Sequence, residues 1–226
     1  MLVRIPALLP AEQLAELRQR LEGAAWSDGR ATAGWQSSRV KSNRQLPQSE
    51  PLGMEAGDSI VRALERNPLF VSATLPRHVY PPMFNRYEAG MSFGAHVDNA
   101  VRPIPGTHHR LRTDISATLF LTPPQDYDGG ELTIEDTYGV HQVKLDAGDL
   151  VVYSASSVHR VEPVTRGART AAFLWIQSMV RDDGARALLF ELDTAIRDLT
   201  EKHTDPDSLV RLTSCYHNLV RRWAEI

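Results

Sequence analysis

The sequence contains a single cysteine, Cys215, among its 226 residues. One thiol cannot form an intramolecular disulfide, and a zinc site built from several cysteines is excluded. Long apolar runs are also absent, since none approaches the roughly 18 residues that a membrane-spanning helix needs. Residues 1–10 include two prolines and lack a basic stretch ahead of the apolar residues, unlike a secretory signal. We therefore expect a cytoplasmic protein with no membrane partner.

A large excess of charge of one sign is absent as well. The chain has 25 Lys and Arg against 28 Asp and Glu, a formal net charge of -3. This balance gives no reason to expect a nucleic-acid partner. With 42% hydrophobic residues, a chain of this length buries enough apolar surface for one main domain with a small appendage.

Three kinds of sequence pattern follow one another along the chain. Helical periods occupy residues 10–23 and 54–67, with Pro68 ending the second. Short β-rich runs then alternate with turn residues such as Asp128-Gly129-Gly130. The predicted strands are 70–74, 83–87, 92–97, 113–121, 131–135, 140–145, 150–155, 158–163 and 170–179. Such spacing predicts a mainly β fold, a double-stranded β-helix (jelly roll), rather than βαβ units.

The last part of the chain returns to helical periods, over residues 187–199 and after Asp205-Pro206-Asp207. We expect a C-terminal helical hairpin, and N-terminal helices that support the barrel. The predicted division is 1–77 for the N-terminal support, 78–179 for the jelly-roll core and 180–226 for the helical domain. Two interpretations of the C-terminal apolar stripes remain open: packing against the barrel, or a homo-oligomer interface.

A candidate metal site is formed by His96-Val97-Asp98 together with the distant His159. Residues two apart on a strand point the same way, so His96 and Asp98 can reach one metal ion, and His159 must come from another strand. Two imidazoles and one carboxylate suit Fe(II) and leave one face of the metal open. The alternative is that the His-x-Asp tripeptide occurs by chance and has no role in metal binding.

Arg169 follows soon after His159, at the expected start of a neighbouring strand. A fixed guanidinium there suits the far carboxylate of a dicarboxylic cosubstrate. Arg160 and Arg166 are weaker candidates, because Arg160 alternates away from His159 and Arg166 precedes a glycine in a turn. Two other classes of metal site, that of the cupins and that of the zinc hydrolases, fit the sequence less well. A cupin motif would have His-x-His followed by Glu, and a zinc hydrolase would leave Arg169 without a role.

The chain resembles the Fe(II)/2-oxoglutarate dioxygenase superfamily of prolyl-4-hydroxylase type, and more closely the bacterial PKHD-type hydroxylases, which are associated with iron uptake. The resemblance is carried by these stretches: Phe84-Asn-Arg-Tyr-Glu-Ala-Gly90, His96-Val-Asp-Asn99, Asp128-Gly-Gly-Glu-Leu132, Ala147-Gly-Asp-Leu150, His159 to Arg169, and Trp175-Ile-Gln-Ser178. They cover most of residues 80–180. The C-terminal helical segment fits that group's carboxy-terminal domain.

The resemblance implies that His96, Asp98 and His159 bind Fe(II) and that Arg169 binds the C5 carboxylate of 2-oxoglutarate. It also implies dioxygen as the second cosubstrate, release of succinate and CO2, and L-ascorbate as the reductant that restores iron. One departure is visible: some branches carry Ser two residues after the binding Arg, where this chain has Ala171. Tyr87 is either a second contact to the carboxylate or an ordinary barrel aromatic.

The substrate is not indicated by the sequence: a protein residue, an amino acid and a siderophore-like molecule all remain open. Residues 101–112 form a basic segment after the HVDN motif, either a solvated connection or a substrate lid. An alternative to the enzyme is a non-catalytic sensor that binds iron or 2-oxoglutarate and signals through its C-terminal helices.

Overall fold

The computed structural model describes residues 1–32, 34–35, 37–137, 139–203 and 205–226. Within these residues lie five α-helices: α1 (Ala11–Glu22), α2 (Pro51–Arg66), α3 (Pro68–Thr74), α4 (Asp183–Glu201) and α5 (Pro206–Trp223). Short 3-10 turns occupy Gly29–Thr32, Ser37–Arg39 and Pro124–Asp126. The first eight strands are β1 (Leu2–Ile5), β2 (Ser27–Asp28), β3 (Lys41–Ser42), β4 (Arg44–Gln45), β5 (Pro76–Val79), β6 (Met83–Glu88), β7 (Ser92–His96) and β8 (Val101–Pro103). The others are β9 (Arg110–Arg112), β10 (Ile115–Phe120), β11 (Tyr127–Gly129), β12 (Leu132–Asp136), β13 (Gly139–Val143), β14 (Leu150–Ser154), β15 (Val158–Val161) and β16 (Val164–Ser178).

Two antiparallel sheets form the barrel. The larger has the order β1-β14-β10-β16-β6-β4-β2, with β5 and β11 also paired to β16, and the smaller has the order β13-β12-β15-β7-β3. Phe120 of the larger sheet packs with Leu132 and Val161 of the smaller one in a buried apolar cluster. The prediction of a mainly β jelly roll flanked by helices is confirmed.

Alternation along the strands of the larger sheet gives it two apolar faces. Ile115 and Leu119 of β10 pack outward against the N-terminal helices, in a cluster that includes Ile60 and Phe70. Phe120 points to the opposite face, toward the smaller sheet. From Arg169 onward the same alternation directs the odd-numbered side chains of β16 into the barrel, whereas Ala172, Leu174 and Ile176 pack in the outer cluster.

The prediction of a strand over residues 70–74 is wrong, because these residues form α3. The run of Phe70 and Val71 favours a strand by propensity alone. Two local signals outweigh it: Pro68 occupies the first helical turn, and the Asn67 side chain accepts a hydrogen bond from the Phe70 amide at 2.9 Å. Pro68 therefore both ends α2 and begins α3.

The two C-terminal helices have an apolar cluster of their own. Leu189 of α4 and Trp223 of α5 pack with Leu75, which precedes β5. An isolated bridge between Val180 and Ala224 holds the end of the chain against the barrel. The predicted cap is present, since the Asp205 side chain accepts a hydrogen bond from a backbone amide of the first turn of α5.

The basic segment after the HVDN motif folds as a hairpin of β8 and β9, paired from Val101 opposite Arg112 to Pro103 opposite Arg110. His108 and His109 lie exposed at its tip. No helix within the described residues is both long and apolar enough to cross a membrane.

Candidate metal centre and its cleft

His96, Asp98 and His159 converge inside the barrel. His96 ends β7 and lies directly opposite His159 of β15 in an antiparallel pair. Asp98 follows two residues after His96, and its carboxylate oxygen is 3.7 Å from His159 Nε2. One ligand atom from each of the three side chains lies within 4.8 Å of the others. This is a donor set for one metal ion: His96 and His159 lie on paired strands, and Asp98 lies two residues beyond the end of β7.

The main chain fixes how both imidazoles are turned. His96 Nδ1 is 2.8 Å from the Gly94 carbonyl oxygen, and His159 Nδ1 is 3.1 Å from the Ser157 carbonyl oxygen. A carbonyl oxygen only accepts hydrogen bonds, so Nδ1 must carry the proton in each ring. The Nε2 lone pairs are therefore left free for a metal ion, as is usual for histidine ligands.

The surroundings keep these donors in their metal-binding forms. Burial, helped by the nearby His159, lowers the pKa of His96 to about 4, so its ring is neutral at physiological pH. Phe93 covers the His96 ring, with ring centroids 3.6 Å apart. Ser116 donates a hydrogen bond to Asp98 Oδ2 at 2.6 Å and so orients the carboxylate.

Arg169 lies deep in the same cleft, with 1% of its surface exposed. Its Nε and Nη1 are buried and have no hydrogen-bond partner within the described part of the chain. The guanidinium carbon is 5.5 Å from the Tyr87 ring centroid and 5.1 Å from that of Phe120. Buried donors of a charged group are costly to leave unpaired, so this arrangement fits a carboxylate as the missing partner.

The predicted position of Arg169 needs one correction. It lies within β16 rather than at a strand start, and β16 belongs to the larger sheet whereas His159 lies in the smaller one. The guanidinium thus faces the metal site from across the barrel. The two weaker candidates are engaged elsewhere: Arg166 pairs with Asp128 on the surface, and Arg160 pairs with Glu162 at 2.7 Å.

Two tyrosines border the Arg169 guanidinium. Tyr87 lies opposite Arg169 in the β6–β16 pair, and burial raises its pKa to about 12, so the hydroxyl keeps its proton. Tyr127 was not singled out by sequence reasoning. Its buried hydroxyl has no hydrogen-bond partner among the described residues, and burial raises its pKa against the opposing Arg169 charge. The sequence signal that could have identified Tyr127 is its position directly before the Asp128-Gly129-Gly130 turn.

The cleft contains about 810 Å³ of space, including its open mouth. Three amide side chains that the sequence did not reveal, Asn43, Gln45 and Asn85, line it and are each less than a tenth exposed. Each has a buried nitrogen or oxygen with no hydrogen-bond partner in the described structure. These atoms can bind a polar molecule inside the cleft. The histidines outside the triad, at 78, 108, 109, 141, 203 and 217, are exposed.

Two family models match the chain. Residues 82–177 match the 2OG-Fe(II) oxygenase superfamily, and residues 183–225 match the PKHD-type hydroxylase C-terminal domain. The chain is 57% identical over 226 residues to a PKHD-type hydroxylase of Pseudomonas paraeruginosa, covering 100% of both chains. It is 58% identical over 227 residues to a PKHD-type hydroxylase of Paraburkholderia phytofirmans, again covering 100% of both.

Among solved structures, a Pseudomonas putida prolyl-4-hydroxylase is similar with a TM-score of 0.53 and 22% identity, covering 78% of this chain and 92% of that one. A prolyl hydroxylase from Trichoplax adhaerens is similar with a TM-score of 0.53 and 16% identity, covering 83% and 86%. At these identities the two structures support the fold alone.

Proposed function

Because the chain belongs to the PKHD-type hydroxylases of the 2OG-Fe(II) oxygenase superfamily, we propose that it hydroxylates a C–H bond of its substrate with Fe(II), 2-oxoglutarate and dioxygen. It is an enzyme, a dioxygenase of hydroxylase type. One observation carries the finer proposal: the three candidate ligands lie in one cleft with a buried guanidinium whose Nε and Nη1 have no hydrogen-bond partner among the residues that the structure describes. That combination provides a place for a metal ion and for a dicarboxylic acid beside it.

In this proposal His96, Asp98 and His159 bind Fe(II) through two neutral imidazoles and a carboxylate. The donor set supports it, because both Nε2 atoms are left free and Asp98 is held by Ser116. Three protein ligands leave room on an octahedral ion for a chelating cosubstrate and for dioxygen. Their combined charge of -1 leaves a divalent site at +1, which favours an anionic chelator.

Arg169 is proposed to bind the C5 carboxylate of 2-oxoglutarate. Its unpaired buried nitrogens support this role, and the protonated Tyr87 hydroxyl is proposed as a second donor to the same carboxylate. Ala171, two residues further along β16, is fully buried and offers no polar contact. Burial of the guanidinium also excludes water from the carboxylate, which strengthens the ion pair.

The chemistry supplied when iron, 2-oxoglutarate and dioxygen are bound is oxidative decarboxylation of the 2-oxoacid to succinate and CO2, coupled to insertion of one oxygen atom into a substrate C–H bond. The chain's own residues orient the reactants and keep the metal site dry. Phe93 shields the His96 ring, and Tyr153 covers His159 with ring centroids 5.2 Å apart.

Two further parts of the proposal rest on family resemblance. L-ascorbate is proposed to restore Fe(II) after turnovers without substrate, which predicts a longer-lasting reaction when it is added. A link to iron uptake is proposed as well, which predicts that the protein becomes more abundant when cells are starved of iron.

We also propose the division into 1–77, 78–179 and 180–226. The separate apolar cluster of α4 and α5 supports the last boundary. In this division the N-terminal helices cover the outer face of the larger sheet, and the C-terminal helices pack against Leu75 and Met179.

The test is succinate formation from 2-oxoglutarate by the purified protein with Fe(II) under air. His96→Ala and Asp98→Ala are expected to abolish it, whereas the exposed His141→Ala serves as a matched control and is expected to retain it. Metal affinity, measured by calorimetry with Mn(II), should fall in the first two variants only. Succinate formation that persists in both His96→Ala and Asp98→Ala would refute the site assignment.

A further inference from the structure

Two cations flank the metal site in addition to Arg169, and the first is Lys41. It begins β3 and lies opposite Phe93 of β7, with only 8% of its surface exposed. Its Nζ is 5.3 Å from the Phe93 ring centroid, and that ring stacks on His96. Lys41 is therefore one aromatic ring away from a candidate metal ligand.

The second cation, Arg102, lines the same cleft. It lies on β8, and its guanidinium carbon is 3.9 Å from the centroid of the Trp175 ring. Trp175 lies opposite Ser116 in the β10–β16 pair, and Ser116 is the residue that binds Asp98. Stacking on an indole fixes the plane of a guanidinium and leaves its edge free to bind an oxyanion.

Neither cation has a carboxylate partner within the described residues. Lys41 donates to the neutral Thr32 hydroxyl at 3.1 Å, and the buried Arg102 Nε has no hydrogen-bond partner among the described residues. Burial lowers the pKa of Lys41 and the charge of Arg102 lowers it further, whereas the charges of Asp28 and Asp98 raise it. Asp98 is the only carboxylate among the described residues that line the cleft, and the metal site uses it. Two cations that line one cleft without a salt-bridge partner among the described residues favour binding of an anion beside them.

We propose that Lys41 and Arg102 bind an oxyanion of the prime substrate, a carboxylate or a phosphate ester on a small molecule, and thereby hold its C–H bond beside the metal. This inference rests on the proposed function, since it names the substrate class of the same site. Asn43, Gln45 and Asn85 then bind further polar groups of the same molecule with their unpaired buried atoms.

Sulfate is the probe for this oxyanion site, titrated calorimetrically into the full-length protein loaded with Mn(II) and 2-oxoglutarate. The wild-type protein is expected to bind one sulfate per chain. Lys41→Met and Arg102→Met should each weaken sulfate binding by roughly ten- to a hundredfold, the effect of one charge-assisted hydrogen bond. Arg110→Met, an exposed position on β9 of the same hairpin, is the matched control and should change it less than about twofold.

Measuring the affinity for 2-oxoglutarate distinguishes the proposed oxyanion site from the cosubstrate site. This affinity should stay within about threefold of the wild-type value in Lys41→Met and Arg102→Met. A parallel loss of 2-oxoglutarate affinity would assign the two cations to the cosubstrate and overturn the inference. Absent sulfate binding, or binding that neither substitution weakens, would overturn it too. If instead the wild-type protein neither binds 2-oxoglutarate nor forms succinate, the proposed function itself has failed.

A second experiment distinguishes the two sources of the oxyanion. A low-molecular-mass cell extract is divided on a strong anion exchanger, and each pool is incubated with the enzyme, Fe(II) and 2-oxoglutarate. Products that gain one oxygen atom are expected in the retained pool, and Arg102→Met should form them more slowly than Arg110→Met. Loss of the product after phosphatase treatment of the pool indicates a phosphate ester, and persistence indicates a carboxylate. Products confined to the unretained pool would contradict the inference.

Discussion

Replacing Arg169 by methionine should separate the stability of the protein from its ability to bind cosubstrate. Arg169 is 1% exposed, and its Nε and Nη1 have no hydrogen-bond partner in the described part of the chain. A buried donor left unpaired costs about 1–3 kcal/mol. Methionine has a similar length, carries no charge and can pack between the Tyr87 and Phe120 rings. Without ligand, Arg169→Met should therefore be as stable as the wild-type protein or more stable by about 1–3 kcal/mol.

Added 2-oxoglutarate should stabilise the wild-type protein much more than the variant. Two charge-assisted hydrogen bonds contribute about 1.5–3 kcal/mol each, so losing both weakens binding by between about a hundredfold and ten-thousandfold. At a ligand concentration of about 100 times Kd, the wild-type protein gains about 2.7 kcal/mol, and the variant gains almost nothing.

The assay is urea denaturation followed by tryptophan fluorescence, with Mn(II) present and with or without 2-oxoglutarate. Arg166→Met is the matched control, because Arg166 is exposed and pairs with Asp128. It should shift the unfolding free energy by less than about 0.5 kcal/mol and keep the full stabilisation by the cosubstrate. The reasoning is refuted if Arg169→Met is the less stable protein without ligand and 2-oxoglutarate still stabilises it.

Three other substitutions test separate parts of the structure. Ser116→Ala removes the hydroxyl that orients the metal-site carboxylate, so Mn(II) affinity measured by calorimetry should fall about 10–100-fold; an unchanged affinity would exclude this role. Leu189→Ala empties a buried position of α4 and should cost about 2–5 kcal/mol in urea denaturation, whereas the exposed Leu188→Ala should cost less than about 0.5 kcal/mol; equal losses would contradict the described packing. Gly129→Ala should cost well over about 1 kcal/mol, because Gly129 has a φ of +71° and a Cβ there would strike the Pro163 carbonyl oxygen; a variant as stable as wild type would contradict the turn geometry.

The sequence was sufficient to predict the elements whose signals are local. Alternation and turn residues predicted the strands around His96 and His159, and the helical periods and the Asp205 cap predicted α5. It was not sufficient for α3. There a strand propensity and a helix start compete over the same seven residues, and the Asn67 cap decides in favour of the helix.

The cleft residues that belong to compact sequence motifs were predicted from the sequence. Those that enter the cleft through the pairing of strands distant in the sequence were missed. Lys41 lies in a polar stretch without any periodicity, and only the pairing of β3 with β7 places it beside Phe93. Tyr127 was hidden for a similar reason, because its neighbour Arg169 comes from a strand much later in the chain. Such contacts depend on sheet register, which a single sequence does not specify.

The hydrogen bonds behind the three candidate metal ligands differ in how easily evolution can alter them. Both imidazoles are turned by a carbonyl two residues earlier on the same chain, from Gly94 and Ser157. A side-chain substitution cannot delete a carbonyl, so this part of the geometry is inherited with the backbone itself. Asp98 depends instead on the Ser116 hydroxyl, which a single codon change removes. The orientation of the Asp98 carboxylate is thus the part of the site that a single substitution can change, so that metal affinity can vary while the fold stays the same.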